Sequence, residues 1–355
     1  MTARLAEAIT GCLLGTAVGD ALGLPYEALS KKRQQGFCPR LEGHHYLFGK
    51  GMVSDDTEHS CLVLQAMIAT GGDPERFGRI LAWRLRFWML GLPASIGLAT
   101  LRALCKLWLG FPPHHSGVYS AGNGPAMRSA VLGVCYGDDP ERLREFVRIS
   151  TRITHTDPKA EWGAYAVALA AHLAATRGAV RPEELHAALQ QRLGPEAAEF
   201  HDLIRRATES AATGSSTEDF AAKLGLGHGV SGYTLHTVPV ALHAWLLHQD
   251  DYRQAVIGAI RCGGDTDSVA AIVGGIVGAG CGRAGIPPEW IDGLWEWPRS
   301  VAWMTRLAER TAAAVATGQR GRMLPVFWPA LLVRNLFFLA VMLVHGLRRL
   351  FPPYG

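Results

Sequence analysis

The stretch Gly11-Cys-Leu-Leu-Gly-Thr-Ala-Val-Gly-Asp-Ala-Leu-Gly23 places a glycine at every fourth position. Residues four apart lie on one face of an α-helix, so the stretch predicts a helix with a glycine face. Because glycine costs a helix about 1 kcal/mol relative to alanine, repeated glycines on one face indicate that another helix approaches closely. A membrane dimer motif is the alternative, and Asp20 disfavours it by interrupting the apolar run.

A second set of glycines at helical spacing follows Ser268 near the other end of the chain. These glycines are Gly274, Gly275, Gly278 and Gly282. We expect the two glycine-bearing helices to pack together in the core. That contact would bring the acidic residues just before the second helix close to the N-terminal segment.

Apolar residues recur at helical spacing through most of the remaining chain. Examples are Phe77 to Leu90, Leu143 to Ile153, Ala160 to Ala175, Leu235 to Leu247, Val256 to Ile260 and Ser268 to Ala279. No window shows the sustained alternation of a half-buried strand. The sequence therefore predicts an all-α domain of a dozen or more helices over residues 1–318. We expect a long loop over residues 31–51 and a polar linker over residues 209–218.

The composition excludes several classes of protein. With 48% apolar and 19% charged residues among 355, the chain is globular and not disordered. The net charge of +4 comes from scattered arginines without a long basic run, so nucleic-acid binding is not expected as the main role. Seven cysteines without a C-x-x-C pair indicate reduced thiols in a cytoplasmic protein. Charged residues at Arg4, Glu7 and Asp20 disfavour a signal peptide.

Two acidic clusters stand out from this apolar background, Ser54-Asp-Asp-Thr57 and Gly263-Gly-Asp-Thr-Asp-Ser268. Only 31 residues of the chain are acidic, and crowded carboxylates repel one another unless a cation lies between them. Carboxylates and hydroxyls together suit Mg²⁺ or Mn²⁺ better than zinc. The alternative is that both clusters are helix N-caps, although one cap needs only one such residue.

Five strings in this chain resemble, in residues and in order, those of the ADP-ribosylglycohydrolases. They are Gly11 to Gly23, Ser54 to Thr57, Gly122-Asn-Gly-Pro-Ala-Met-Arg128, Thr154-His-Thr156 and Gly263 to Ser268. This family includes the dinitrogenase-reductase-activating glycohydrolase and the ADP-ribosylarginine hydrolases. The resemblance implies an all-α orthogonal multi-helix bundle with a binuclear metal cleft holding two Mg²⁺ or Mn²⁺ ions. It also implies cleavage of the N- or O-glycosidic bond between ADP-ribose and an acceptor, which would reverse ADP-ribosylation.

The resemblance assigns metal ligands and catalytic residues. The implied ligands are Ser54, Asp55, Asp56, Asp265, Asp267 and Ser268, and the implied catalytic residues are Asp55, Asp56, Asp267 and Glu27. The family often has threonine at positions 54 and 268, and the serine hydroxyls found here can serve equally. One of the aspartates is a plausible proton acceptor. Glu27 aligns with a glutamate that gates the metal site, with an ordinary surface carboxylate as the alternative.

The resemblance also implies a substrate-binding set: Ser120, Gly122, Asn123, Gly124, His155 and Tyr233. The turn at residues 120–124 is expected to open a helix from Pro125 to Val134, whose N-terminal N–H groups would bind a diphosphate. His155 would lie near the ribose and phosphates, and Tyr233 would stack on adenine. For both side chains a place in the core is the alternative.

Residues 319–355 form a tail outside the resemblance. Met323 to Gly346 is almost wholly apolar, but Arg334 and Asn335 interrupt it and disfavour a membrane-spanning helix. We expect an amphipathic helix docked on its own domain, on a partner or on a membrane surface, with a tail anchor as the alternative. Because every implied ligand precedes the tail, deleting it is expected to spare hydrolysis.

Two further function classes remain open at this point. The first is a catalytically silent module that binds ADP-ribose or a nucleotide, although a pure binder has no need of four aspartates. The second is a membrane-associated scaffold, which would leave the acidic clusters unexplained. The acceptor that carries the ADP-ribose is not specified by the sequence.

Overall fold

The computed structural model describes residues 2–37 and 41–351, and these residues contain nineteen α-helices and no β-sheet. The helices are α1 Thr2–Gly23, α2 Lys31–Phe37, α3 Asp55–Thr70, α4 Pro74–Leu90, α5 Leu98–Trp108, α6 Pro113–Ser116, α7 Gly124–Met127, α8 Ala130–Tyr136, α9 Pro140–Arg152, α10 Pro158–Thr176, α11 Pro182–Arg192, α12 Ala198–Ala212, α13 Thr217–Lys223, α14 Thr234–Leu247, α15 Tyr252–Ile260, α16 Thr266–Cys281, α17 Pro288–Asp292, α18 Val301–Thr317 and α19 Trp328–Arg348. Short 3-10 turns occur at Leu24–Tyr26, Leu47–Gly49, Pro195–Ala197 and Arg283–Gly285. The all-α prediction is therefore confirmed.

Helices α1 and α16 pack antiparallel against each other along their glycine faces. A methyl group built on Gly15 would lie 2.1 Å from the carbonyl oxygen of Gly274. A methyl group on Gly11 would lie equally close, at 2.1 Å, to the carbonyl oxygen of Gly278. Only hydrogen fits at these positions, so the glycine spacing fixes how closely the two helices approach. Around them, α10, α14 and α18 complete the buried core.

Three local predictions differ from the structure. The expected loop at residues 31–51 begins with α2, whose Gln34 side chain donates to the carbonyl of Ile260 at 2.9 Å. The expected linker at residues 209–218 is mostly helical, because α12 continues to Ala212 and α13 begins at Thr217. The expected single helix from Pro125 to Val134 is two short helices, α7 and α8, that meet at Arg128 and Ser129.

The cysteines fit the reduced-thiol prediction where the structure describes them. Cys12, Cys61 and Cys262 are buried and free, and Cys135 and Cys281 are half-buried and free. Cys105 is also free but exposed, so it is a surface thiol. Cys38 and the last four residues of the predicted tail lie outside the described residues.

By length and composition alone, two segments of the described chain could cross a membrane, Thr2–Tyr26 and Trp328–Arg348. The first contains α1, is 83% buried over its most apolar window and is a core helix of the domain. The second is α19, which is 33% buried over its window. One face of α19 packs on the domain through Phe338 and Val341, and the opposite face is exposed.

Candidate metal centre and substrate cleft

The two acidic clusters meet because each one begins a helix that packs on α1. The first cluster opens α3 and the second opens α16. Ser54 caps α3 and its hydroxyl also donates to Asp56 Oδ2 at 3.0 Å. The Ser268 hydroxyl, from the other cluster, lies 3.4 Å from the same carboxylate oxygen. Residues that are far apart in sequence therefore form one acidic site.

Asp20 holds the start of α3, where the first acidic cluster lies, and no sequence pattern predicts this role. It is fully buried in α1 and accepts hydrogen bonds from Ser54 N at 2.9 Å and from Thr57 Oγ1 at 2.6 Å. Burial raises the pKa of its carboxyl to about 7. The available sequence signal is an acid within the apolar run from Gly11 to Gly23, which indicates a buried carboxylate with a dedicated partner.

The acidic site has the donor chemistry of a hard divalent cation. Carboxylate oxygens of Glu27, Asp265 and Asp267 lie within 4.8 Å of one another. Asp56 Oδ1 and Asp267 Oδ1 are buried and have no hydrogen-bond partner. Buried polar atoms in native proteins are nearly always satisfied, so orphaned carboxylate oxygens beside other carboxylates fit ligation of a cation.

Electrostatics in the site agree with this interpretation. Burial raises the pKa of Asp56 and of Asp267 well above the usual range, and neighbouring carboxylates raise both further. Burial, followed by the negative charge of Asp20, does the same to the pKa of Asp55. Within the described residues, the carboxylates are therefore crowded enough to resist ionising together unless positive charge is added.

A cavity of about 300 Å³ opens above the acidic site. Its lining includes Glu27, Asp55, Asp265, Asp267 and Ser268, together with Ser120, Gly122, Asn123, Gly124 and His155. The structure thus brings most of the expected metal and substrate residues to one cleft. Ser54 and Asp56 lie buried beneath it, and Tyr233 is absent from the lining although its neighbour Gly232 is present.

The glycine turn forms one wall of the cleft against the His155 ring. A methyl group on Gly122 would lie 3.0 Å from His155 Nε2, and one on Gly124 would lie 3.1 Å from Cε1. Burial, with a smaller effect of the Arg128 charge, lowers the pKa of His155 to about 3. His155 is therefore neutral near physiological pH and can hydrogen-bond to a ligand without adding charge.

Arg128 holds this wall from behind. It is fully buried and donates to the Gly124 carbonyl at 3.1 Å and to Thr154 Oγ1 at 2.7 Å. The Thr154 hydroxyl is in turn 2.9 Å from His155 Nδ1. Arg128 therefore orients both the glycine turn and, through Thr154, the histidine.

The side-chain amide of Asn123, which the resemblance assigns to substrate binding, is hydrogen-bonded within the protein. Its side-chain amide donates to Asp265 Oδ2 at 2.6 Å and to Thr237 Oγ1 at 3.1 Å. Its backbone N–H donates to the Gly232 carbonyl at 2.9 Å. The residue therefore joins the glycine turn, the second acidic cluster and the segment that carries Tyr233.

Tyr233 lies at the rim of the cleft and is partly exposed. Its hydroxyl accepts a hydrogen bond from Lys159 Nζ at 3.0 Å, and its ring packs edge-on against His236 with 5.0 Å between centroids. The hydroxyl is thus fixed while the ring stays near the opening. This position suits stacking against a flat ligand group.

The all-α domain carries carboxylates at the starts of α3 and α16, beside a glycine-lined cleft. Comparisons with known proteins identify its family. The sequence profile of the ADP-ribosylglycohydrolase family matches residues 1–321. The chain belongs to that family, and its activity is hydrolysis of the glycosidic bond between ADP-ribose and an acceptor.

Individual relatives show the same relationship. A protein of Archaeoglobus fulgidus is 34% identical over 297 residues, which is 81% of this chain and 92% of the relative. The ADP-ribosyl-dinitrogen reductase glycohydrolase of Rhodospirillum rubrum is 27% identical over 80% of this chain and 89% of its own length. A solved ADP-ribosylglycohydrolase-related protein complex matches 88% of this chain and 99% of its own chain at a TM-score of 0.63 and 27% identity.

Proposed function

We propose that this protein removes ADP-ribose from a modified protein side chain with the help of two Mg²⁺ or Mn²⁺ ions. The supporting observation is that Asp56 Oδ1 and Asp267 Oδ1 are buried without hydrogen-bond partners. The proposed ligands are the carboxylates and hydroxyls of both clusters: Ser54, Asp55, Asp56, Asp265, Asp267 and Ser268. Such ions, when bound, polarise ribose hydroxyls and lower the pKa of a bound water.

The protein side chains have separate tasks in the reaction. In hydrolysis, a water oxygen bonds to the anomeric carbon of the ribose as the bond from that carbon to the acceptor breaks. Asp55 lines the cavity, and we assign it the role of accepting the proton from the attacking water. Glu27 lies beside Asp265 and Asp267 and controls access to them. The electron pair of the broken bond stays with the acceptor atom, which takes up the proton that Asp55 received. The acceptor leaves as the free side chain and Asp55 is regenerated.

The glycine turn is the proposed site for the diphosphate of ADP-ribose. Gly122 and Gly124 carry no side chain into the cleft, so a phosphate can approach their backbone closely. The neutral His155 ring fills the space behind them, and Ser120 lies beside them in the lining. Tyr233 at the rim is the proposed platform for adenine.

Substitution of Gly124 by valine tests the diphosphate site. We expect the affinity for free ADP-ribose to fall by about tenfold or more, because the new side chain would occupy the approach and push on His155. Gly97 lines the same cavity, but a methyl group there would meet nothing within 4 Å, so Gly97→Ala is the matched control. Calorimetry with ADP-ribose measures both variants. Equal affinities for wild type and Gly124→Val would refute the assignment.

Release assays test the activity and its metal dependence together. Peptides ADP-ribosylated on arginine or on serine are incubated with the protein, with added Mg²⁺ or Mn²⁺ and with a chelator. We expect free ADP-ribose to appear only with metal, and the peptide that is cleaved identifies the acceptor. Tight binding of ADP-ribose with no release under any metal condition would favour the alternative, a silent binding module.

We propose that the protein is cytoplasmic and that the exposed face of α19 contacts an anionic membrane surface. This face carries Leu336, Leu343 and Leu347, each at least half exposed. No acidic residue follows Glu309, whereas Arg320, Arg322 and Arg348 are exposed. An apolar helix face with basic neighbours is typical of helices that lie in a bilayer interface.

Vesicle sedimentation tests the membrane contact. The protein is expected to co-sediment with phosphatidylserine vesicles, more weakly with phosphatidylcholine, and less in the Leu343→Ser, Leu347→Ser double variant. No binding to either lipid, or self-association through this face in analytical ultracentrifugation, would contradict the proposal.

A further inference from the structure

Helix α19 lies outside the region matched by the family profile, yet its inner face contacts two segments that carry site residues. The first segment ends at Val53, immediately before Ser54. The second is Pro25 to Glu27. Both contacts are made by charged or polar side chains of α19 that turn towards the domain.

The first contact centres on Arg334, which is only 2% exposed. Arg334 Nη2 donates to the Val53 carbonyl at 2.6 Å, and Arg334 Nε donates to Glu296 Oε2 at 3.1 Å. Glu296 Oε1 accepts from the Val53 N–H at 2.8 Å. The Arg334–Glu296 pair therefore holds both backbone polar groups of the residue that precedes the first metal-ligand cluster.

The same pair joins a buried charge network beneath α3. Glu58, one turn into α3, is paired with Arg299 and accepts from Trp88 Nε1 at 2.5 Å. Arg334 Nη1 lies 4.0 Å from Glu58. Two buried glutamates, Glu58 and Glu296, are thus neutralised by two buried arginines, Arg299 and Arg334. Losing one arginine would leave buried negative charge unpaired.

The second contact is at the C-terminal end of α19. His345 Nε2 lies 2.8 Å from the Pro25 carbonyl oxygen. Arg349 Nη1 donates to the Glu27 carbonyl at 2.9 Å, and Nη2 donates to the Pro25 carbonyl. These bonds fix the backbone that presents Glu27 to the cleft.

The Glu27 turn needs such support because its backbone is strained. Ala28 has a φ of +60°, the left-handed region that residues with a side chain rarely adopt. Its N–H donates to the Gly264 carbonyl at 2.8 Å, next to Asp265. Strained residues persist where the surroundings fix them from several sides. Here the loop before α16 holds one side and α19 holds the other.

We propose that α19 is a structural part of the active site, with Arg334 and Arg349 as positioning residues. Arg334 sets the start of α3 and hence Ser54, and Arg349 sets the turn that carries Glu27. This inference rests on the proposed metal and gating roles of those residues. It replaces the expectation that deletion of the tail spares hydrolysis.

Arg349→Met tests the Glu27 contact, with Arg306→Met as the control. Arg306 is an exposed arginine of α18, so both variants lose one positive charge from the protein. We expect Arg349→Met to lower kcat and Mn²⁺ affinity by about 10- to 100-fold, the usual range for residues that orient metal ligands. KM should change little because the glycine turn is untouched. Arg349→Lys should recover part of the loss, and Arg306→Met should behave as wild type.

Arg334→Lys tests the Val53 contact while keeping the buried charge. We expect a similar loss of kcat and Mn²⁺ affinity with native circular dichroism. Calorimetry with Mn²⁺ alone keeps this test separate from the reaction. If the wild type binds Mn²⁺ but releases no ADP-ribose, the proposed function fails while the affinities still test α19. Wild-type Mn²⁺ affinity and kcat in folded Arg349→Met and Arg334→Lys would overturn the proposal, as would losses explained wholly by a lower Tm.

Discussion

Asp267→Asn is expected to lower kcat by about a thousandfold or more, because a metal ion contributes several kcal/mol of transition-state stabilisation. Asparagine keeps the shape of the side chain but removes the charge that a cation needs. Asp267 Oδ1 has no hydrogen-bond partner in the protein, so this change breaks no internal bond at that atom. Release of ADP-ribose at saturating Mg²⁺ measures the effect, and Asp56→Asn should behave alike.

The folded state should survive this substitution. Asp267 is crowded by Glu27, Asp265 and Asp56, and removing one charge relieves repulsion among them. Added Mg²⁺ should raise the Tm of the wild type through binding to the folded state, and should raise that of the variant much less. Asp250→Asn, on an exposed turn, is the control and should match the wild type. Near-normal turnover by Asp267→Asn would remove Asp267 from the site.

The sequence was sufficient for features that depend on local spacing. Glycines at every fourth position predicted the close contact between two helices, and the acidic clusters predicted where the site would form. The helix contact is confirmed, because a helix converts spacing into a face. That the crowded carboxylates bind a cation as their counter-charge stays a prediction. The family resemblance, and not local spacing, singled out Glu27, which the structure places against Asp265 and Asp267.

Features that depend on distant partners were beyond the sequence analysis. In the sequence Asp20 only interrupts an apolar run. Its hydrogen bonds to Ser54 and Thr57 depend on how α1 and α3 pack. Arg128 ends the family-like string that begins at Gly122, but the sequence assigns it no role. In the structure it orients Gly124 and Thr154. Apart from Gly124, these partners are tens of residues away, and no local pattern identifies them.

The tail illustrates the same limit. Arg334 and Asn335 disfavour a membrane-spanning helix by sequence alone, and in the structure both are buried against the domain. A charged side chain in an apolar helix can face water, lipid headgroups or a buried counter-ion. Arg334 faces a buried counter-ion, Glu296, and Glu296 is too far away in sequence for any local pattern to predict the pairing. The buried Arg334 instead contacts Glu296 and the carbonyl of Val53, the residue before Ser54.

Gly15→Ala is expected to destabilise the protein by about 3 kcal/mol or more, at the upper end of overpacking effects. The added methyl group would lie 2.1 Å from the Gly274 carbonyl oxygen and 2.9 Å from its carbonyl carbon. These atoms belong to backbone, so no side-chain rotation can relieve the clash and the two helices must separate. Urea denaturation followed by circular dichroism measures the change in the free energy of unfolding.

Gly346→Ala is the matched control for that substitution. Gly346 also lies inside a helix, but a methyl group there would meet nothing within 4 Å. Because alanine has a higher helix propensity than glycine, Gly346→Ala should stabilise the protein by up to about 1 kcal/mol. Because α1 carries Asp20 and α16 carries Asp267, separating them in Gly15→Ala should also weaken Mn²⁺ binding in the fraction that still folds. Equal unfolding free energies for Gly15→Ala and the wild type would show that the glycine faces do not set the distance between α1 and α16. The meeting of the two acidic clusters would then have to depend on other contacts.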